Sequence, residues 1–375
     1  MRDGQRPSIP QTKSPPSGPQ LAAVAEAFQT AEFRSAERYG SGHIHDTYCA
    51  MLEDGGRGLR VILQRMNTGI FKNPVAVMHN IERVTAHLRM RLSGQMDVDR
   101  RALQLVPARD GRTWHVDGEG QYWRAYRFIE GARTYDVVCS PAQAFEAAKA
   151  FGEFQRLLAD LPEPRLAESI PDFHHTAKRF ATFEQAVAAD AVGRCGEAER
   201  EIAFAMSRRA IGGALVNAGL PERVTHNDTK LNNVMLDDAS GEGICVIDLD
   251  TVMPGLAAYD FGDMVRTMTC PAAEDERDLT RVGVEFPLFE AVLKGYLKGA
   301  WGFLTQREHE SLITGTKVIV FEQGIRFLAD FLAGDAYYKA SRPGQNLDRC
   351  RTQFKLLESI EEHEDEMVRL LRSLS

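Results

Sequence analysis

No stretch of this sequence reaches the ~18 consecutive apolar residues of a membrane-spanning helix, so no such span is predicted. The first twenty residues, "MRDGQRPSIPQTKSPPSGPQ", lack the apolar core of a signal peptide. They are rich in Pro, Ser, Gly and Gln, which predicts a disordered tail over residues 1–20. Cysteine is sparse: six residues, at 49, 139, 195, 245, 270 and 350, with no CxxC spacing. Scattered thiols speak against a disulfide framework and for a reducing compartment, so a cytoplasmic location is expected. HExxH is absent, and the adjacent His174 and His175 point away from each other on a helix, which favours structural roles. No basic arm or face is visible among 45 Lys and Arg and 53 Asp and Glu, so nucleic acid is not expected as a partner.

What remains is ordinary globular composition. Across 375 residues, 43% are hydrophobic and 26% charged, enough for two lobes with their own cores. "LAAVAEAFQTAEF" predicts a short helix after the tail. "RYGSGHIHDTYCAMLEDGGRGLRVILQRM" then predicts three strands, split by a Gly-containing loop and an "EDGG" turn. "PVAVMHNIERVTAHLRMRL" reads as a helix with Pro74 in its first turn. "LQLVPARDGRTWHVDGEGQYWRAYRFIEG" predicts three further strands.

From Ser140 the pattern turns helical, opening on the capping signal "SPAQ". It ends in an amphipathic helix with Phe354, Leu357, Ile360, Met367, Leu370 and Leu371 on one stripe. The expected fold is α+β: a small antiparallel β lobe followed by a larger, mainly helical lobe, divided as 21–129 and 130–375.

Two short apolar segments interrupt the helical part. Between "VT" and "VML" lies "HNDTKLNN", placing His226, Asp228, Lys230 and Asn233 at fixed spacing; "ICVID" follows, ending in Asp248, with Asp250 two residues on. Asn- and Asp-rich stretches are usually turns, but a turn needs no such spacing. Transfer of a phosphoryl group from ATP to an alcohol does need these groups. It calls for a carboxylate at the hydroxyl, oxygen ligands for Mg²⁺ and a cation on the phosphate oxygens. Asp228 suits the first role, Asn233 and Asp248 the second, Lys230 the third. His226 is expected to hold the loop rather than move protons.

This pattern resembles the kinase catalytic loop, and in particular that of the aminoglycoside phosphotransferase/choline kinase family. The resemblance implies a two-lobed protein-kinase-like fold with ATP as co-substrate and Mg²⁺ as cofactor. It also implies that Asp250 joins Asp248 at the metal. A literal Asp-Phe-Gly at 260–262 is set aside as the metal motif, because Asp260 follows a Pro-Gly loop and not a buried strand. Related phosphotransferases use an Asp there to buttress the catalytic loop, so Asp260 takes that role and Asp263 stays unassigned.

In the small lobe, Gly40, Ser41 and Gly42 form a hairpin whose backbone N–H groups suit phosphates. His45 stands where a kinase loop has its third Gly. The next strand carries Gln64 and Arg65 where the family's phosphate-gripping Lys is expected, and alternation lets only one of them face the nucleotide. Glu82, on the following helix, is the candidate ion-pair partner. Phe128 and Ile129, within "YRFIEG", fall where the hinge binds adenine through its backbone.

"THNDTKLNNVMLDD", "CVIDLDTVMPGL", "DFGD", "LQRMN" with "FKNP", and "FEQGIRFLADFLAGDAYYK" with the later "NLDRCRTQFKLL" resemble the bacterial N-acetylhexosamine 1-kinases. The likeness runs from about residue 35 to the end. It implies phosphorylation of the anomeric hydroxyl of N-acetylglucosamine or N-acetylgalactosamine, a small neutral amino-sugar acceptor. It places Arg326 at the sugar. Tyr337, Tyr338 and Glu322 are further candidates to line the pocket, with nothing in the sequence that singles out any one of them. The alternatives are a kinase of another small alcohol or aminoglycoside, and, on the strength of Gln64, a regulatory pseudokinase.

Overall fold

A computed structural model describes residues 15–28, 31–40, 42 and 44–374. Residues 1–14, most of the expected tail, and Ser41 of the expected phosphate loop lie outside the described residues. Helix α1 (Gly18–Phe28) begins inside the stretch read as tail and stops earlier than expected. Its apolar residues at 21, 24, 25 and 28 recur at helical spacing and bury one face.

Three strands follow, β1 (Glu32–Arg38), β2 (Asp46–Asp54) and β3 (Arg57–Arg65). Gly55 and Gly56 both take positive φ, the conformation that a two-residue hairpin matched to strand twist requires. Helix α2 (Pro74–Arg91), capped by Asn73, leads to α3 (Val98–Arg101), β4 (Trp114–Val116) and β5 (Tyr122–Arg127). The sheet is antiparallel in the order β1-β2-β3-β5-β4. The sixth strand expected at "LQLVP" is reduced to a single bridge, Leu105 with Tyr126. Pro107, which has no N–H to donate, stands two residues further on.

One face of this sheet packs under α1, where Val61, Leu63, Trp123 and Ala125 join Leu21 and Val24. The other face turns to α2 and the helical lobe.

Strand β6 (Ala132–Arg133) and helices α4 (Pro141–Leu157), α5 (Thr176–Ala189) and α6 (Glu199–Ser207) open the larger lobe. Ser140 caps α4, its hydroxyl accepting from Gln143 N at 3.2 Å. Then come β7 (Arg223–Thr225), β8 (Val234–Asp237), β9 (Gly243–Val246) and β10 (Met253–Gly255), and after them α7 (Ala257–Met268), α8 (Phe286–Gly299), α9 (Gln306–Leu332) and α10 (Gln345–Ser373). β7 pairs with β10, and β8 lies between β6 and β9, so two small antiparallel ribbons interrupt the helices. Helix α7 packs tightly on α9: a Cβ on Gly262 would fall 2.4 Å from the Gly315 carbonyl oxygen. The glycine of the Asp-Phe-Gly triplet is therefore a helix-contact residue. The architecture is the expected protein-kinase-like one, a small antiparallel sheet lobe and a larger helical lobe.

Candidate active site

The polar stretch is the connection from β7 to β8, and its backbone is held from below by α7. The Asp260 carboxylate, fully buried, accepts from His226 N at 2.8 Å and Asn227 N at 2.7 Å, and from Gln155 Nε2 at 2.6 Å. Burial still pushes its pKa up against these donors. Asp263, unassigned from the sequence, does similar work: it accepts from Thr229 N at 2.8 Å and pairs with Arg266 at 2.8 Å. His226 Nε2 lies 2.9 Å from Ile247 O, while its Nδ1 accepts from Asp228 N at 3.3 Å. The ring thus donates on one side and accepts on the other, a neutral imidazole that braces the loop. Asn227 between them has φ 64°, a left-handed turn that Asn tolerates.

This bracing lifts Asp228, Lys230 and Asn233 to one place. Lys230 Nζ is 3.0 Å from Asp228 Oδ2, and Asn233 Nδ2 donates to the same oxygen at 3.1 Å. Burial opposes the Lys230 charge, but Asp228, Asp248 and Asp263 outweigh it and its pKa is raised. Asp248 follows β9 with φ 60°, a strained left-handed conformation for a non-glycine residue. Its pKa is pushed up to about 6 by burial first, and then by the charges of Asp250 and Asp228.

Asp250 behaves differently. Burial would raise its carboxyl, yet Arg124 and His45 hold it well below the usual range. Arg124, on β5 and fully buried, reaches across the lobe boundary: its Nη1 is 2.7 Å from Asp250 Oδ1, and its Nη2 meets Oδ2. His45 Nε2 lies 3.4 Å from Asp250 Oδ2. His45, Asp248 and Asp250 are close enough to suggest a metal cluster. His45 Nδ1 accepts from Asn67 N at 3.0 Å, so only its Nε2 is turned to the two carboxylates. Asp250, expected to join Asp248 at the metal, lies beside it, and both of its oxygens also accept from Arg124. Asp248 and the Asn233 amide are an oxygen-donor set, the kind a small hard divalent cation takes.

On the nucleotide side, Gln64 and Arg124 are cross-strand partners on one sheet face, and Arg65 lies on the other. Gln64 Oε1 accepts from Arg124 Nε at 2.9 Å. Arg65 turns away, pairing with Asp46 at 2.6 Å while its guanidinium lies 6.0 Å from the Trp123 ring. Glu82 does not take up the ion pair expected of it; it accepts from the Thr113 hydroxyl.

Gly40, at φ 78°, and Gly42 lie between β1 and β2 with no atom near where a Cβ would stand. Phe128 N donates to Arg60 O at 3.3 Å, and the Arg60 guanidinium lies 3.8 Å over the Phe128 ring. Ile129 is buried. Beyond them the Glu130 and Gly131 carbonyls accept from Arg100 at 3.0 and 2.9 Å.

Arg326 projects from α9 among aromatic rings, 5.4 Å from Phe173 and 5.7 Å from Tyr338, and Nη1 donates to Gln323 Oε1 at 3.2 Å. Its charge and that of Asp228 both act on Arg266. Tyr338 is half-buried beside it; Tyr337 is exposed. Glu322, expected as a lining residue, is buried and bound to His174 and Thr176. Sequence reasoning missed Arg124, Arg266 and His174. The one trace of Arg124 was a cation inside the apolar strand "YWRAYR".

The lobes and the loop between β7 and β8 define a kinase-like phosphotransferase fold. The chain belongs to the phosphotransferase enzyme family named APH, whose model matches residues 35–292. Solved structures share the fold at low identity. An aminoglycoside phosphotransferase from Alicyclobacillus acidocaldarius has TM-score 0.58 and 14% identity, covering 97% of this chain and 98% of that one. A microcompartment-associated aminopropanol kinase has TM-score 0.54 and 16% identity, covering 93% and 98%. A spectinomycin phosphotransferase, solved with ADP and spectinomycin, has TM-score 0.51 and 13% identity, covering 96% and 99%. Among the described residues no helix is long and apolar enough to cross a membrane.

Proposed function

We propose that this chain transfers the γ-phosphoryl group of ATP to the anomeric hydroxyl of N-acetylglucosamine or N-acetylgalactosamine, giving the sugar 1-phosphate and ADP. The observation that carries the transfer is the convergence of Asp228, Lys230 and Asn233 on a loop whose backbone is pinned by Asp260 and Asp263. Asp228 orients the sugar hydroxyl and takes its proton as the oxygen–phosphorus bond forms and the β–γ bridge breaks. Lys230 offsets charge on the phosphate oxygens. Asp248 and Asn233, with Asp250 beside them, would hold Mg²⁺, which would neutralise phosphate charge. Residues 21–129 form the nucleotide lobe and 130–375 the acceptor lobe. Arg100 engages the carbonyls of Glu130 and Gly131 and Phe128 N donates to Arg60 O, so the rest of the Phe128 and Ile129 backbone is the stretch of hinge offered to adenine.

The acceptor assignment rests on the sequence resemblance and on charge. A polycationic acceptor calls for free carboxylates. Near Arg326, Glu322 is bound to His174 and Thr176, while Asp330 accepts from Tyr337 N, Tyr338 N and Asn346 Nδ2. A guanidinium with neighbouring amides and phenols suits the hydroxyl and carbonyl oxygens of a neutral sugar. The test is ADP release by the full chain across N-acetylhexosamines, neutral hexoses, amino alcohols and aminoglycosides, with the phosphorylated carbon read by NMR. Transfer to C1 of an N-acetylhexosamine is expected. Preferred turnover of an amine-bearing acceptor would replace the sugar assignment, and no ADP release with any acceptor would favour a regulatory role.

A further inference from the structure

His174 lies between two acceptors. Its Nδ1 is 2.9 Å from Glu322 Oε1, and its Nε2 is 3.2 Å from Asn227 O. A neutral imidazole has one N–H, and the Asn227 carbonyl cannot donate. Burial pushes the Glu322 carboxyl up, but His174, Arg326 and the Thr176 hydroxyl outweigh it and hold it below the ordinary value, so it stands as an acceptor. It also accepts from the Thr176 hydroxyl at 2.6 Å, and it precedes Arg326 by one helical turn on α9. Two acceptors on opposite sides of one ring require both nitrogens to donate.

We propose that His174 is a positioning residue for the acceptor step: as an imidazolium it ties the loop backbone, one residue before Asp228, to the α9 turn that carries Arg326. The proposal rests on the kinase reading of Asp228 and Arg326. The tie fixes the separation between the group that takes the hydroxyl proton and the group that holds the sugar.

The surroundings support it. The ring is wedged between Phe173, at 4.6 Å, and Tyr259, at 5.3 Å, so it has little freedom to turn. The charged or titratable groups facing it are Glu322 and Arg326 from α9 and Asp263 and Tyr259 from α7, with Asp172 and His175 flanking it on its own segment. Burial and Arg326 disfavour the charge, but Glu322 and Asp263 outweigh them, and the His174 pKa is raised. A raised histidine value means that the tie is complete at acid and neutral pH and is lost as pH rises through that value. His175, by contrast, turns outward and caps α5, its Nδ1 accepting from Lys178 N at 3.4 Å.

The test has two arms on the full chain. In the first, histidine ring nitrogens are labelled and followed by NMR, the His174 signal being assigned by its loss in His174→Gln. At pH 6.5, the ordinary histidine value, the His174 ring is expected to be more than half doubly protonated, and less than half in Glu322→Gln. In the second, ATP and sugar are varied separately. His174→Gln and Glu322→Gln are expected to lower kcat/KM for the sugar by about ten- to a hundredfold, the scale of a lost hydrogen bond to a charged group. The KM for ATP should hold, and the alkaline limb of kcat/KM for the sugar should move to lower pH in Glu322→Gln. A neutral ring at pH 6.5 in the wild type overturns the proposal. So does an unchanged kcat/KM for sugar in folded His174→Gln, or an equal loss for ATP and sugar. The ring titration is read without substrate. Failure of the wild-type chain to phosphorylate any sugar would therefore overturn the sugar-acceptor reading separately from the protonation state of His174.

Discussion

Arg124 and Asp250 form a bidentate ion pair across the boundary between the lobes, Nη1 to Oδ1 at 2.7 Å, with side chains 0% and 3% exposed. A buried pair of this kind is costly to break, because removing one partner leaves the other charged in a dry site. Arg124→Met should therefore destabilise the chain by about 3–5 kcal/mol, while Arg124→Met combined with Asp250→Leu should recover much of the loss. Urea unfolding midpoints of the single and double variants check this. Single variants as stable as the wild type would mean that the pair does not brace the lobes.

The same cation constrains Gln64. A lysine at 64 would restore the residue type expected of the family but would set an ammonium against the Arg124 guanidinium, now 2.9 Å from Gln64 Oε1. Like charges at this distance repel. Gln64→Lys should lower the unfolding midpoint and weaken ATP binding, read by calorimetry. Tighter ATP binding with unchanged stability would show that the site lacks a cation that Arg124 does not supply.

How far the sequence alone reaches is visible in these two residues. Local signals served well wherever the chemistry was local. The spacing of Asp228, Lys230 and Asn233 survives folding because a short, pinned loop carries all three, and Pro74 and Ser140 mark helix starts through their own backbone. What escaped was long-range. Arg124 meets an aspartate 126 residues away, and His174 meets Glu322 148 residues away. Alternation said that only one of Gln64 and Arg65 could face the cleft; only the sheet's packing under α1 decided which. Asp250 was read only as a neighbour of Asp248 at the expected metal. Its ion pair with Arg124, on another strand, was not legible.

Asp228 and Asp260 should separate by readout. Asp228→Asn should keep the unfolding midpoint and ATP binding and lose ~10²–10⁴ in kcat, the scale of a positioned acid or base. Asp260→Ala leaves the backbone N–H groups of His226 and Asn227 without their acceptor, at ~1–3 kcal/mol each, and should chiefly destabilise. Paired kinetics and thermal unfolding distinguish the two. A folded Asp228→Asn with normal turnover would remove Asp228 from the chemistry.

The start of α9 supplies a pH test. Glu308 closes a capping box with Thr305 and pairs with Arg223 at 2.8 Å. Burial pushes its carboxyl up, but Arg223 and the Thr305 donors outweigh this and hold it below the ordinary 4.5. A depressed carboxyl contributes stability that is present above the unfolded value and lost as pH falls through the folded one. Glu308→Gln should cost about 1–3 kcal/mol at neutral pH. Its deficit against the wild type should shrink below pH 4.5, measured by unfolding across acid pH. A deficit that does not change with pH would place the effect in packing instead of charge.

Arg326 tests the acceptor. Its guanidinium donates in a fixed planar fork and accepts nothing, and it lies on the aromatic faces of Phe173 and Tyr338 with one donor on Gln323. That fork suits hydroxyl and carbonyl oxygens of a neutral sugar. A polar contact left unpaired in a pocket costs ~1–3 kcal/mol, so Arg326→Ala should raise the KM for N-acetylhexosamine by roughly ten- to a hundredfold. The KM for ATP should change little, because the groups proposed for the nucleotide lie on the small-lobe sheet, the hinge, the β7–β8 loop and the end of β9, not on α9. Arg326→Lys should recover only part of the loss, since an ammonium keeps the charge without the fork or the stacking. Steady-state kinetics with each substrate varied in turn decides among the outcomes. Equal damage to both substrates would mean that Arg326 supports the fold through its two rings, and damage to neither would move the sugar elsewhere in the helical lobe.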